Sequence, residues 1–169
     1  LSAINSNWGK YAIELSNFCV DHIKNNYPEV IVKSEKLEDA SFEDASFDVI
    51  YCHHVIEHVE DPHSVMKNLS RMLKKGGIMV IGAPNIDSFV SNRFKGNYRL
   101  LGSPHVVMWN KNTLSKLLEI YGLAVYKDVY PYLNTDVVTF KNILRLFDTT
   151  KISPPFYGNL MTLYARKIS

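Results

Sequence analysis

Histidines are concentrated around one short stretch of the chain, and histidine is the side chain best suited to exchange protons near neutral pH. His53 and His54 directly follow the apolar run Phe47–Cys52, His58 comes soon after, and His105 lies further downstream. An apolar run of this kind predicts a buried strand, and open α/β sheets bind ligands at the carboxyl ends of their strands. We therefore expect these histidines to lie at the mouth of a sheet, where one of them could act as a general base.

The stretch from His54 to His58 also reads His-x-x-Glu-His, a zinc motif of one class of peptidases. On a helix, two histidines four residues apart would share one face and could bind the metal. Here the motif follows a buried strand, and Asp61-Pro62 is a helix start directly after it. No clear third ligand is set on a following helix. A zinc peptidase therefore stays a minor alternative, and we assign no metal ligand.

Strands and helices alternate along the chain, which favours an α/β fold with a mostly parallel sheet. The predicted strands are Lys10–Glu14, Val30–Val32, Phe47–Cys52, Ile78–Gly82, Leu123–Val129 and Leu160–Arg166, the last of which we expect to be antiparallel. The predicted helices are Asn17–Asn26 with Ser16 as its cap, the stretch from Pro62 to a stop at Gly76-Gly77, Asn112–Tyr121 and Asp136–Phe147.

The connection from Pro84 to Asn110 is long for a loop, and loops of that length are usually functional or contain local helix. Aromatic residues alternate with arginine and lysine along it. We expect a short helix near Ser88–Phe94 and predict that the segment caps the carboxyl ends of the strands.

The composition is that of one globular domain, residues 1–169, in which 131–169 supply a C-terminal helix and the last strand. Hydrophobic residues make up 46% and charged residues 21% of the chain. A net charge of +2 gives no reason to expect a nucleic acid or an anionic membrane as partner. The absence of a signal peptide or membrane-length apolar run predicts a cytoplasmic protein. The oligomeric state is left open.

Several motifs, taken in order, resemble the class I S-adenosylmethionine-dependent methyltransferases. That family has an F-D-V strand, a V-L-E-H-V-x-D-P loop, then L-K-P-G-G-x-L-x-I and P-N. The corresponding stretches here are Phe47–Val49, Val55–Pro62, Leu73–Ile81 and Pro84-Asn85. The resemblance covers most of Trp8–Val129 and implies a Rossmann-like methyltransferase sheet with helices on both faces.

The resemblance also implies S-adenosyl-L-methionine as the cofactor. Glu14, between a strand and a helix, would accept hydrogen bonds from the ribose hydroxyls, with Leu15 beside it. Leu37 and Glu38 would edge the adenine, and the backbone of His53 would lie near the methionine moiety.

The implied reaction is methyl transfer to a small-molecule acceptor, an in-line displacement that depends mainly on alignment. A base is needed where the acceptor is a protonated hydroxyl or amine. We expect His54, His58 and His105 to face the acceptor, although a purely structural role for the Glu57-His58 pair is equally open.

The family's glycine-rich turn is missing from the sequence. In Rossmann-like sites it lies about 20 residues before the acidic ribose ligand. With Glu14 as that ligand, the turn would precede residue 1. We therefore expect a chain truncated before this motif, without its first strand and with a gap in its sheet. The alternative is a degenerate relative that serves as a non-catalytic binding or assembly module. A dehydrogenase on the same general fold would need the same turn.

Overall fold

The computed structural model describes residues 7–102, 104–130 and 139–169. Its strands are β1 (Lys10–Ile13), β2 (Val30–Lys33), β3 (Phe47–His53), β4 (Leu73–Pro84), β5 (Leu123–Val129) and β6 (Leu160–Lys167). Its α-helices are α1 (Asn17–Asn26), α2 (Pro62–Met72), α3 (Phe89–Phe94), α4 (Lys111–Ile120) and α5 (Phe140–Arg145). None of the helices in these ranges is both long and apolar enough to cross a bilayer.

The chain divides into two compact units, and the first is Leu1–Phe42. It contains β1 and β2, which pair in parallel, and α1 between them. The side chain of Ser16 accepts a hydrogen bond from the Cys19 N–H at 3.5 Å, which confirms the predicted cap of α1. Val20, Val30 and Ala40 are its buried apolar residues among those described.

The second unit, Glu43–Ser169, contains a four-stranded sheet in the order β3-β4-β6-β5. β3 pairs with β4 in parallel, whereas β6 is antiparallel to both β4 and β5. Three strands therefore point the same way with β6 reversed among them, as predicted for a mostly parallel sheet with an antiparallel last strand. The described strands form two separate sheets, and the single domain that we expected over residues 1–169 stays a prediction.

Helices α2 and α4 bury apolar faces in the second unit. Asp61 caps α2 by accepting from the N–H groups of His63 and Ser64 at 3.0 and 3.1 Å, and Pro62 occupies the first helical turn as predicted. Asn110 caps α4, which packs on β5 and β6. The buried residues of the two helices are Val65, Met66, Leu69, Ser70, Met72, Leu114, Leu117 and Leu118.

Helix α2 ends earlier than predicted, which corrects the expected stop at Gly76-Gly77. The helix ends at Met72, and Gly76 instead takes a positive φ of 81° inside β4. The last carbonyls of the helix find partners from elsewhere in the chain. Those of Arg71 and Met72 accept from the N–H groups of Ala45 and Ser46 at 3.0 and 2.9 Å. The residues after Met72 then form β4, which pairs with β3.

The segment after β4 contains the short helix expected near Ser88–Phe94. Ser88 caps α3 by accepting from the Ser91 N–H at 3.1 Å. Phe94 and Tyr98 are buried in a small apolar cluster that Leu146 joins from the tail. The segment therefore has a folded core of its own, and its role as a cap stays a prediction.

The tail also departs from its predicted boundaries. We predicted a helix over Asp136–Phe147, whereas the described helix is α5, capped by Thr139, whose side chain accepts from the Asn142 N–H at 3.1 Å. Residues 136–138 lie outside the described ranges.

The end of α2 provides a first prediction. Lys167 Nζ donates to the carbonyls of Ser70 and Leu73 at 2.7 and 2.9 Å. Lys167→Met keeps the aliphatic stem but removes both bonds, and should lower the free energy of unfolding by about 1–3 kcal/mol. Urea denaturation measures the change. Lys116→Met, at an exposed position on α4, is the matched control. Equal stability of the two variants would contradict this account of the helix end.

Candidate active site

His53 is the last residue of β3, and its ring is held on three sides. The ring Nε2 lies 3.0 Å from Thr162 Oγ1 on β6. The ring stacks on Tyr51, with centroids 5.4 Å apart and planes at 10°. It also lies against Gly82 on β4, where any added Cβ would collide with the imidazole. The glycine is therefore required for this close approach of ring and strand.

His54 turns the chain out of the sheet. Its φ of 57° is left-handed, and its N–H still donates to the Gly82 carbonyl at 3.0 Å, which extends the β3–β4 pairing by one residue. Its Nδ1 lies 3.1 Å from Glu57 Oε1, and the His54 side chain is 42% exposed while that of Glu57 is fully buried. An ionised carboxylate only accepts hydrogen bonds, so Nδ1 is the donor to Glu57 and Nε2 is the ring nitrogen that carries the lone pair when the ring is neutral.

Hydrogen bonds join the loop after β3, residues 54–58, to the segment that follows β4. The Glu57 carbonyl accepts from the N–H groups of Val106 and Val107 at 2.8 and 3.1 Å. The indole N–H of Trp109 donates to the Ile56 carbonyl at 3.3 Å. These three bonds fix the downstream segment against the loop and bring its histidine to the site.

His58 and His105 lie side by side, with ring centroids 4.9 Å apart at 43°. His58 Nδ1 is 3.1 Å from the Pro104 carbonyl, and His105 Nδ1 is 2.6 Å from the Leu100 carbonyl. His58 Nε2 is 3.8 Å from Glu57 Oε1. The structure thus gathers the three predicted acceptor-side histidines, His54 included, around one buried carboxylate.

The His-x-x-Glu-His stretch lies in a turn after β3 and not on a helix. His54 and His58 therefore do not share a helical face, which is the condition that the peptidase motif requires. The structure gives no support to the peptidase alternative.

Burial shifts the protonation equilibria of two neighbouring residues at the end of β3. It raises the pKa of the Cys52 thiol to about 12, and the nearby Glu57 carboxylate adds to that effect. Burial also lowers the pKa of His53, with a further contribution from His54, while Glu57 acts in the opposite sense. Both side chains are therefore held in their neutral forms near pH 7.

The residues predicted to bind adenosine lie in the Leu1–Phe42 unit. Glu14 follows β1 directly, and its N–H donates to the Lys33 carbonyl at 3.1 Å. Its Oε1 accepts from the Ser16 N–H at 2.8 Å, so the carboxylate is held at the start of α1. Leu15 is 63% exposed.

Leu37 and Glu38 form a 3-10 turn after β2. Because β1 and β2 are parallel, this turn and Glu14 follow the same edge of their two-stranded sheet. The structure tests neither their cofactor roles nor that of His53, and these assignments stay predictions.

Sequence reasoning missed the partners that hold the histidines in place. Glu57 was visible inside the motif, but its complete burial was not. Thr162 and the Pro104 carbonyl lie far in sequence from His53 and His58, which they contact, and no local pattern marks them.

Comparison with known proteins gives a consistent result. A family model described as a methyltransferase domain matches residues 5–128. The chain is 31% identical over 106 residues to a Mycolicibacterium smegmatis protein named "Probable S-adenosylmethionine-dependent methyltransferase", a match that spans 63% of this chain and 40% of that protein. It is 29% identical over 113 residues to the ubiquinone biosynthesis O-methyltransferase of Pelagibacter ubique, covering 64% and 41% of the two chains. The chain thus spans about two fifths of the length of these relatives.

Solved structures confirm the predicted fold. An S-adenosylmethionine-dependent methyltransferase from Thermotoga maritima superimposes with a TM-score of 0.65 at 20% identity, over 94% of this chain and 72% of that one. At this identity the likeness establishes the Rossmann-like methyltransferase fold alone.

Burial of Cys52 predicts an unreactive thiol. In a Cys19→Ser variant, which leaves Cys52 as the remaining cysteine, Ellman's reagent at about pH 8 should label no thiol until urea is added, because a thiol with a pKa of about 12 holds little thiolate. Fast labelling of the native variant would contradict the burial.

The lowered pKa of His53 predicts a pH dependence of stability. The unfolded chain binds a proton at this ring more readily than the folded protein does. The contribution to stability is therefore complete above the unfolded pKa of about 6.5 and is lost as the pH falls through the lower folded pKa. His53→Gln retains an amide donor for Thr162 but does not titrate. Urea denaturation between about pH 7.5 and about pH 5 should show a smaller loss of stability for His53→Gln than for the unmodified protein. An equal loss in both would count against the assignment.

Proposed function

Since this chain belongs to the methyltransferase domain family, as its motifs predicted, we propose that it transfers a methyl group from S-adenosyl-L-methionine to a small-molecule acceptor in the cytoplasm. The observation that carries the proposal beyond family membership is the His54–Glu57 pair at the carboxyl end of β3. When bound, the cofactor would supply an electrophilic methyl group.

We assign proton removal from the acceptor to His54. Its Nδ1 donates to Glu57, which leaves Nε2 on a partly exposed ring to take a proton from a hydroxyl or amine. The buried Glu57 carboxylate would stabilise the imidazolium that forms. Glu57 is thus a positioning residue, and His58 and His105 complete the acceptor side. An oxygen acceptor agrees with the name of the Pelagibacter ubique relative, an O-methyltransferase.

We assign the adenosine half of the cofactor to Glu14, Leu15, Leu37 and Glu38. A carboxylate has lone pairs enough to accept from the Ser16 N–H and from ribose hydroxyls together. Glu14 directly follows β1, and open α/β sheets bind ligands at the carboxyl ends of their strands. The backbone of His53 would lie near the methionine moiety of the cofactor, as the resemblance of the chain to these methyltransferases implies.

The test is calorimetric titration of the chain with S-adenosylhomocysteine. Glu14→Ala should weaken binding about 10–100-fold, because charge-assisted hydrogen bonds contribute about 1.5–3 kcal/mol. Glu119→Ala, which removes an exposed glutamate on α4, is the matched control and should bind normally.

Two outcomes would contradict the proposal. Unchanged affinity of Glu14→Ala would remove the ribose assignment. No binding by the unmodified chain would leave the family and fold in place but reject cofactor-dependent transfer by this polypeptide, in favour of a non-catalytic binding module.

A further inference from the structure

Three side chains beside the proposed base form a cluster with the composition of a metal site. One carboxylate oxygen of Glu57 and one ring nitrogen each of His58 and His105 lie within 4.8 Å of one another. The first two residues come from the loop after β3 and the third from the segment after β4. Backbone hydrogen bonds to the Glu57 carbonyl hold these two segments together.

Both rings are oriented as metal-ligating histidines are. Each Nδ1 lies at hydrogen-bond distance from a backbone carbonyl, that of Pro104 for His58 and that of Leu100 for His105. A carbonyl only accepts, so Nδ1 carries the hydrogen and the neutral ring presents a lone pair at Nε2. Carbonyl partners of this kind fix the tautomer and the ring plane of metal ligands in proteins.

The carboxylate supplies a second, independent observation. Glu57 is fully buried, and its Oε2 accepts no hydrogen bond from the described residues. A buried carboxylate oxygen without a partner is costly, and such atoms are nearly always satisfied by a donor or a cation. The unpartnered oxygen belongs to the residue that already approaches His58 at 3.8 Å.

We propose that Glu57, His58 Nε2 and His105 Nε2 bind one divalent transition-metal ion, with Zn²⁺ the best match. Two imidazoles and a carboxylate suit zinc, whereas Mg²⁺ prefers a shell of oxygen ligands. Ligand atoms around a tetrahedral zinc ion lie about 3.4 Å apart. The two rings are partly exposed, so small rotations can close the cluster to that spacing.

Three protein ligands leave a coordination position open, as in catalytic zinc sites. A water or an oxygen of the acceptor can occupy it. The use of that position by a methyl acceptor rests on the proposed function, while the binding of the metal does not. His54 stays outside the ligand set and donates to the ligating carboxylate.

The experiment is calorimetric titration of the chelator-treated full chain with Zn²⁺. We expect one ion per chain and at least a 10-fold loss of affinity in His105→Gln, a change at a partly exposed ring that should not prevent folding. His22→Gln removes an exposed histidine from α1 and should bind as the unmodified protein does. Visible absorption of the Co²⁺-loaded protein should report inner-sphere ligation and should be lost in His105→Gln.

Absence of one-to-one Zn²⁺ binding, or equal binding by His105→Gln and the unmodified chain, would overturn the site. Equal affinity for Mg²⁺ would overturn its assignment to a transition metal. Titration of the same preparation with S-adenosylhomocysteine separates the two proposals. Zinc binding without cofactor binding rejects the proposed function alone, and cofactor binding without zinc binding rejects the metal site alone.

Discussion

Burial of the Glu57 carboxylate is the constraint on which the arrangement of the site depends. The residue is fully buried, yet its backbone carbonyl accepts two N–H groups from Val106 and Val107 and its side chain holds His54. An ionised carboxylate can be buried only if charged or hydrogen-bonding partners surround it. His54 is such a partner because its Nδ1 donates to Oε1, and a rearrangement of the loop would leave the carboxylate without it.

The sheet beneath gives that loop its fixed position. Parallel pairing of β3 with β4 continues to His54, whose N–H binds the Gly82 carbonyl. Antiparallel β6 contributes Thr162 to the neighbouring ring of His53. Sites that stand on paired strands are held more precisely than sites on free loops, and alignment is what methyl transfer most needs.

The fold alone does not define a reaction, because one architecture serves many chemistries. The chemistry here is divided between two sets of groups around one carboxylate. His54 donates from Nδ1 to Glu57 and its side chain is 42% exposed, while one ring nitrogen each of His58 and His105 lies within 4.8 Å of a Glu57 carboxylate oxygen. In the proposed function His54 would remove a proton from the acceptor, and in the proposed metal site the bound ion would hold an acceptor oxygen.

The sequence by itself determined the alternation of strands and helices, the family, the caps at Ser16 and Asp61 and the reversed last strand. These features depend on residues close together in the chain, whose spacing and capping side chains can be read directly. The same local signals placed His53 and His54 at the carboxyl end of β3.

Only the tertiary structure decided where α2 ends, because its last carbonyls are satisfied by Ala45, Ser46 and Lys167, which are distant in sequence. The same holds for the meeting of His105 with Glu57, which depends on backbone bonds across nearly fifty residues of chain. Hydrogen bonds of this kind leave no periodicity or spacing in the sequence, since their partners come together only when the sheet and its loops have packed.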